Sequence, residues 1–239
     1  MTRQIIRLTG EDRVEFLQGL VTNDVARAPC WAAILTPQGK YLADFLIVPH
    51  GDGLLIDVDA ALAPDLLRRL SMYKLRSKVV LEAVEMPVAR GTGPAPEGAV
   101  PDPRHPALGW RLYGQAGDDG SDWDAIRVAH CIPETGIELI PNETYILEAG
   151  FERLHGVDFR KGCYVGQEVT ARMKHKTELR KGITVLAIEG VAPTGTPITA
   201  DGREVGTLYT QSGGRAIAHV RHDRVAAQMQ AGEARLTPA

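Results

Sequence analysis

Apolar positions mark out the first third of the chain clearly. Residues 3–8 predict a strand that stops at Thr9-Gly10. Val14, Phe16 and Leu17 recur at helical spacing within Glu11–Leu20, which predicts a helix. Trp31–Leu35 and Tyr41–Val48 predict two strands of a hairpin. Pro37 and Gly39 lie between them and supply turn chemistry. Leu54–Val58 is a third apolar strand. Asp59–Tyr73 carries Leu62, Leu66, Leu67 and Leu70 on one helical face, and Lys78–Val84 returns to strand. The order β-α-β-β-β-α-β predicts a ferredoxin-like α+β body with one added strand.

The texture then breaks. Residues 87–109 hold six prolines and four glycines and read as a linker, with room for one short strand at Pro87-Val88-Ala89-Arg90. A second α+β segment is expected over 110–178. It has a strand at Trp110–Tyr113, a helix over Asp122–Ala129 capped by Ser121 and closed by Pro133, and a helix over Tyr145–Leu154. Gly166–Met173 reads as a glycine turn leading into something short and regular. From 179 onward apolar residues alternate between Gly and Pro turns. Strands at Thr184–Ile188, Glu204–Thr210 and Arg215–Val220 predict a small C-terminal β-barrel or sandwich over 179–239. The first unit is thus expected to end at residue 86.

Composition narrows the classes. The chain has 239 residues, 44% of them hydrophobic, enough to bury a real core. No apolar run approaches the roughly 20 residues of a membrane helix, and no signal-peptide pattern opens the chain. Three cysteines, Cys30, Cys131 and Cys163, stand far apart without ligand spacing, so no chain-encoded metal or cluster site is expected. Free thiols fit a reducing compartment, and a cytoplasmic setting is the expectation. Seven histidines include no H-E-x-x-H; His219 and His222 are expected to face solvent.

Net charge is -3, yet Arg160 to Lys181 holds seven cations against two carboxylates. A local basic run on an acidic protein points to a specific anionic ligand. Sparse aromatic interleaving argues against a nucleic-acid module. The densest chemistry lies in the same segment. Cys163 has Arg160 and Lys161 before it and stands between Gly162 and Gly166. Neighbouring cations favour a thiolate, and glycines allow close approach. Tyr164 offers a flat face, Gln167 and Glu168 offer hydrogen bonds to a heteroaromatic ring, and Arg172 suits a carboxylate. The plainer reading of these residue types is a tight loop with solvated charges and a buried Cys.

Lys161-Gly162-Cys163-Tyr164-Val165-Gly166-Gln167-Glu168, with Arg172 beyond it, resembles the K-G-C-Y-x-G-Q-E signature of the YgfZ-type folate-binding proteins. These are relatives of the glycine-cleavage aminomethyltransferase (T-protein). Phe16–Val25 resembles the family's F-L-Q-G…T-N-D-V element, and Ala33–Lys40 resembles its hairpin. Arg127 with Ile132-Pro133-Glu134, and Gly214–Ala218, are weaker echoes. Cys131 departs from the pattern, standing where a Gly is usual. The resemblance implies a T-protein-like α+β body with a C-terminal β-barrel around a folate site. It also implies tetrahydrofolate as cofactor and a role supporting iron–sulfur enzymes, including tRNA-modifying ones, through client or assembly proteins. It makes Cys163 the reactive residue and Asp24, Lys161, Tyr164, Gln167, Glu168 and Arg172 the cofactor contacts. A folate-dependent aminomethyltransferase or demethylase is the alternative. The signature loop is expected to face a cavity between the α+β part and the barrel.

Overall fold

The structure is a computed structural model that describes residues 2–176 and 179–239. Strands β1 (Arg3–Thr9), β2 (Cys30–Leu35), β3 (Tyr41–His50), β4 (Gly53–Asp59) and β5 (Val80–Val84) form an antiparallel sheet in the order β2-β3-β4-β1-β5. Helices α1 (Arg13–Gln18) and α2 (Ala63–Tyr73) connect strands of this sheet, giving the expected order of elements.

Period-two alternation divides the sheet into two buried faces. Ile6, Ile34, Phe45, Ile47 and Ile56 pack with Phe16, Leu17, Leu66 and Leu70 of the helices. Ile5, Trp31, Leu35, Leu46 and Leu55 point the other way, onto Ile132, Leu139, Phe151 and Leu154. Burial on both faces explains why β2 reads as one unbroken apolar run. The Trp31 and Phe151 rings stack with centroids 3.9 Å apart.

Three expectations are revised. Residues 87–109 are not a bare linker. They contribute β6 (Val88–Gly91) and β7 (Val100–Pro101) to a sheet with β8 (Trp110–Tyr113) and β9 (Gly117–Asp118), in the order β7-β8-β6-β9. Pro101 lies on the edge strand, where a missing N–H costs no ladder bond. Tyr145–Leu154 is a chain of turns and not a helix. Gly150 adopts φ +77° in its middle, and the segment buries Ile146, Leu147, Phe151 and Leu154 without regular hydrogen bonding. Helix α3 (Trp123–His130) is capped by Asp122, whose carboxylate accepts from Ala125 N at 2.9 Å, one residue after the expected cap. Cys131 follows it at φ +52°, the left-handed position where glycine is free of strain. That accounts for the glycine usual at this place in the resembled family.

Helix α4 (Gln167–Lys176) precedes a closed six-stranded barrel. Its strands are β10 (Lys181–Glu189), β11 (Pro197–Ala200), β12 (Arg203–Ser212), β13 (Arg215–Arg221), β14 (Met229–Ala231) and β15 (Ala234–Pro238). The barrel is tied to the body by polar bonds. Thr210 bonds Glu138 and Arg127, with Oγ1 distances of 2.6 and 2.8 Å. His219 Nε2 lies 3.1 Å from Glu148, so His219 is an interface residue and only His222 is exposed as expected.

Candidate functional site

The three stretches that carry the family resemblance meet at one corner of the molecule. Val21 forms a β-bridge with Ile34. Thr22 accepts from Ala33 N through its hydroxyl, which donates to Gly156 O at 2.7 Å, and its carbonyl accepts from Asp158 N. Gly166 sits at φ +84° so close to the hairpin that a Cβ there would lie 2.4 Å from Thr36 O. Glycine is required at this crossing for both reasons. Cys163 is exposed at this junction.

The sequence-assigned residues divide into two groups. Asp24, Lys161, Tyr164 and Gln167 face inward and are engaged. Asp24 caps a short 3-10 turn by accepting from Ala26 N, and also accepts from Gln18 Nε2 at 3.0 Å. Lys161 Nζ donates to the carbonyls of Gln18 and Val21 and lies 5.0 Å from the centroid of the Tyr164 ring. Burial pushes its pKa down to about 8, against the pull of Asp24, Asp158 and the Cys163 and Cys30 thiols. Tyr164 is buried, and burial raises its hydroxyl to about 12. The Gln167 amide accepts from Tyr164 N at 3.1 Å and donates to Cys163 Sγ at 3.5 Å. Glu168 and Arg172 lie exposed on α4. In the basic run, Lys174 pairs with Glu152; the Lys176 side chain, Thr177 and Glu178 lie outside the described residues.

The other two cysteines differ from Cys163 in kind. Cys30 is buried, and burial together with Asp24 pushes its thiol up to about 12. Burial raises Cys131 to about 11.

A cavity between the body and the barrel is expected at the signature loop; the space beside the loop is instead an open groove of about 500 Å³ walled by the body alone, with Arg27, Cys30, Glu152, Asp158, Phe159 and Arg160 among its lining. Lys161 draws the loop to the C-terminal end of α1. A smaller and more enclosed polar cavity, about 40 Å³, lies under β1, β3, β6, β8 and α3. Its walls are Arg3, Arg90, Arg104, Arg111 and Arg127 against Asp44, Asp102 and Glu134, with Leu108, Trp123 and Thr135. A relay of charges crosses its floor. Asp57 holds Arg3 at 2.6 Å and Arg111 at 2.9 Å. Arg111 reaches Asp102 at 3.4 Å, and Asp102 holds Arg104 at 2.7 Å. Tyr113 OH donates to Asp57 at 3.0 Å. Burial works against the charge on Asp57 and Asp102, yet the guanidiniums outweigh it and hold both below the usual carboxylate range. Asp44 accepts from Trp31 Nε1 at 2.8 Å, Tyr41 OH at 2.7 Å and the Thr135 hydroxyl.

None of these cavity residues was assigned from sequence. The signal that could have found them is a charge inside an apolar strand, as at Asp44 and Asp57. Among the described residues, no group of three or more His, Cys, Asp or Glu side chains could hold a metal ion, and no helix is long and apolar enough to cross a membrane.

Comparison with known proteins adds the lineage. Residues 180–239 match the family model described as the CAF17 C-terminal β-barrel domain. In the solved structures, the chain superposes on the glycine cleavage system aminomethyltransferase T of Bartonella henselae. The TM-score is 0.75 over 99% of this chain and 83% of that one; at 12% identity this shows the fold alone. The iron–sulfur cluster assembly factor IBA57 homolog of Neurospora crassa, a mitochondrial protein, is 36% identical over 84% of this chain and 55% of its own length. The mouse and human mitochondrial IBA57 proteins are each 30% identical over 93% of this chain and 76% of theirs. The chain thus spans little more than half of the Neurospora relative. The cytoplasmic expectation is withdrawn: these relatives are mitochondrial, and free cysteines report redox conditions without distinguishing compartments. The shared fold, the matched barrel and this degree of identity make the chain a member of the IBA57 family.

Proposed function

We propose that this chain is an accessory protein of iron–sulfur cluster assembly or repair, and that Cys163 is the thiol through which it acts. The carrying observation is the exposure of Cys163 at the meeting point of the three motif stretches, with the Gln167 amide donating to its sulfur. A thiol on an open surface suits transfer to or from another protein's thiols or cluster. An enclosed small-molecule reaction would need walls around it. The relatives' names supply the client chemistry, and the YgfZ-type signature extends it to iron–sulfur enzymes that modify tRNA. The likeness to an aminomethyltransferase is one of fold and carries no activity with it.

Tetrahydrofolate is the cofactor that the resemblance implies, and the loop is a poor holder for it because Asp24, Lys161, Tyr164 and Gln167 are spent on internal bonds. The arginine cavity fits it no better: Arg104 and Arg111 are paired with Asp102 and Asp57, Arg90 covers the Trp123 ring, and about 40 Å³ is too small for a folate. The open groove beside the loop has the room, and there Arg27 and Arg160 would hold carboxylates and Phe159 would offer a ring face. Bound there, the folate would supply one-carbon or pterin redox chemistry, and the residues of this chain would bind and orient it.

The test is support of iron–sulfur enzyme activity in cells lacking their own copy. Wild type restores activity and Cys163→Ala does not; full rescue by Cys163→Ala overturns the thiol assignment. For the cofactor, calorimetric titration with tetrahydrofolate should give a weaker affinity for Arg160→Gln than for wild type. Equal affinities would remove the groove from consideration.

A further inference from the structure

We infer that Gln18 and Lys161 form a reciprocal latch that positions the Cys163 loop on the end of α1. The inference rests on the reading of Cys163 as the working thiol.

The bonds run both ways. Lys161 Nζ donates to the backbone carbonyls of Gln18 and, at 2.8 Å, Val21, while Gln18 Nε2 donates to the backbone carbonyl of Lys161 at 3.3 Å. The first two acceptors are carbonyls at and just beyond the C-terminus of α1, where a cation satisfies orphan acceptors and meets the negative end of the helix dipole. The other side of Gln18 is also fixed. Its Nε2 donates to Asp24 at 3.0 Å and its Oε1 accepts from Val25 N at 2.9 Å. One side chain therefore ties α1, the following turn and the signature loop together.

The loop is held at both ends of the stretch around Cys163, and the buried Tyr164 ring pins it between them. Lys161 is the latch, and Gly166, wedged against Thr36 O, is the far anchor. Between them Gly162, at φ +101°, has open space around it and would by itself leave the backbone loose. Cys163 lies in this short span, so its sulfur is displayed at a defined place without being buried. The groups facing the Lys161 amine are Asp24, Asp158, the Cys30 and Cys163 thiols and the Tyr164 ring. The amine is half-buried among them, which suits a positioning role. A free cation offered to a passing anion would sit in solvent.

The experiment uses the purified full chain. Hydrogen–deuterium exchange of the amides in 160–166 is measured for wild type, Gln18→Ala, Lys161→Met, the double variant and Lys161→Arg. The ammonium bonds of Lys161 are worth enough that their loss should speed exchange about ten-fold, and loss of the neutral Gln18 bond should speed it about three-fold. Gln18→Ala leaves the two backbone acceptors of Lys161 in place, but each set of bonds holds the geometry that the other needs, so the double variant should fall short of the product of the singles. Lys161→Arg, which keeps charge and donors, should recover most of the protection. Unchanged exchange in Gln18→Ala, or a double-variant effect equal to the product of the singles, overturns the latch. The outcome is independent of the complementation test: exchange can fail while Cys163→Ala remains null, and that pattern discards the latch alone.

Discussion

The signature loop and the arginine cavity are opposite solutions to placing polar groups. The loop is one continuous stretch, local in sequence, and it displays its thiol to solvent. The cavity gathers its charges from β1, β3, β4, β6, the 102–104 turn, β8 and α3, a span from Arg3 to Glu134, and hides most of them. In the loop, the inward cation is answered by neutral carbonyls, so losing it leaves no opposite charge stranded. In the cavity, Asp57, Asp102, Arg104 and Arg111 depend on one another, and removing one strands its partners, while Asp44 is held by neutral donors. Chemistry is thus exposed where the fold is cheap to alter, and buried where it is not.

The contrast can be attacked in order of expected effect. Alkylation at pH 8 should label Cys163 long before Cys30. With its pKa near 12, Cys30 has a thiolate fraction of about one in ten thousand at that pH, and it is shielded besides. Mass spectrometry showing equal labelling in the native chain would erase the distinction between displayed and structural thiols.

Asp57→Ala should cost about 3–5 kcal/mol in a denaturant melt, since Arg3 and Arg111 lose a fully buried partner. The pH dependence follows from the same carboxylates. Asp57 and Asp102 have native pKa values below the unfolded ones. Their contribution is therefore complete above the ordinary carboxylate range, near pH 4, and is lost as pH falls beneath it. The denaturation midpoint should be level near neutrality and drop in acid, with the drop reduced in Asp57→Ala.

At the barrel seam, Thr210→Val should cost about 1–3 kcal/mol, because Arg127 and Glu138 each lose the hydroxyl at a buried position. A neutral result would mean that the seam is held by apolar packing alone. The smallest effect is expected at the loop itself: Cys163→Ala should change stability by less than about 0.5 kcal/mol, as at other exposed positions. A large loss there would show that the sulfur packs.

Much of the body could be read in advance because strands and helices write their period into the chain. The β-α-β-β-β-α-β order and the barrel texture came through that way. The misreadings share a cause. Residues 87–109 look like linker because β6 and β7 are too short for a periodic signal, and Pro101 is harmless only on an edge. Tyr145–Leu154 looks helical because its apolar residues have helical spacing. They are used to cover the sheet, and Gly150 interrupts them. Lys161 was read as a ligand cation, yet its partners are carbonyls more than a hundred residues away.

By itself, then, the sequence determined the α+β body, the β texture of the last sixty or so residues and the signature around Cys163. Each is a local pattern, carried by side-chain spacing or by a contiguous motif. Tertiary structure alone decided which cations are spent and which are displayed, how far burial raises the Cys30 thiol, and that β1, β3, β6, β8 and α3 wall a charged cavity. Burial, desolvation and the pairing of distant charges are properties of neighbours in space, and the order of residues along a chain does not specify them one by one.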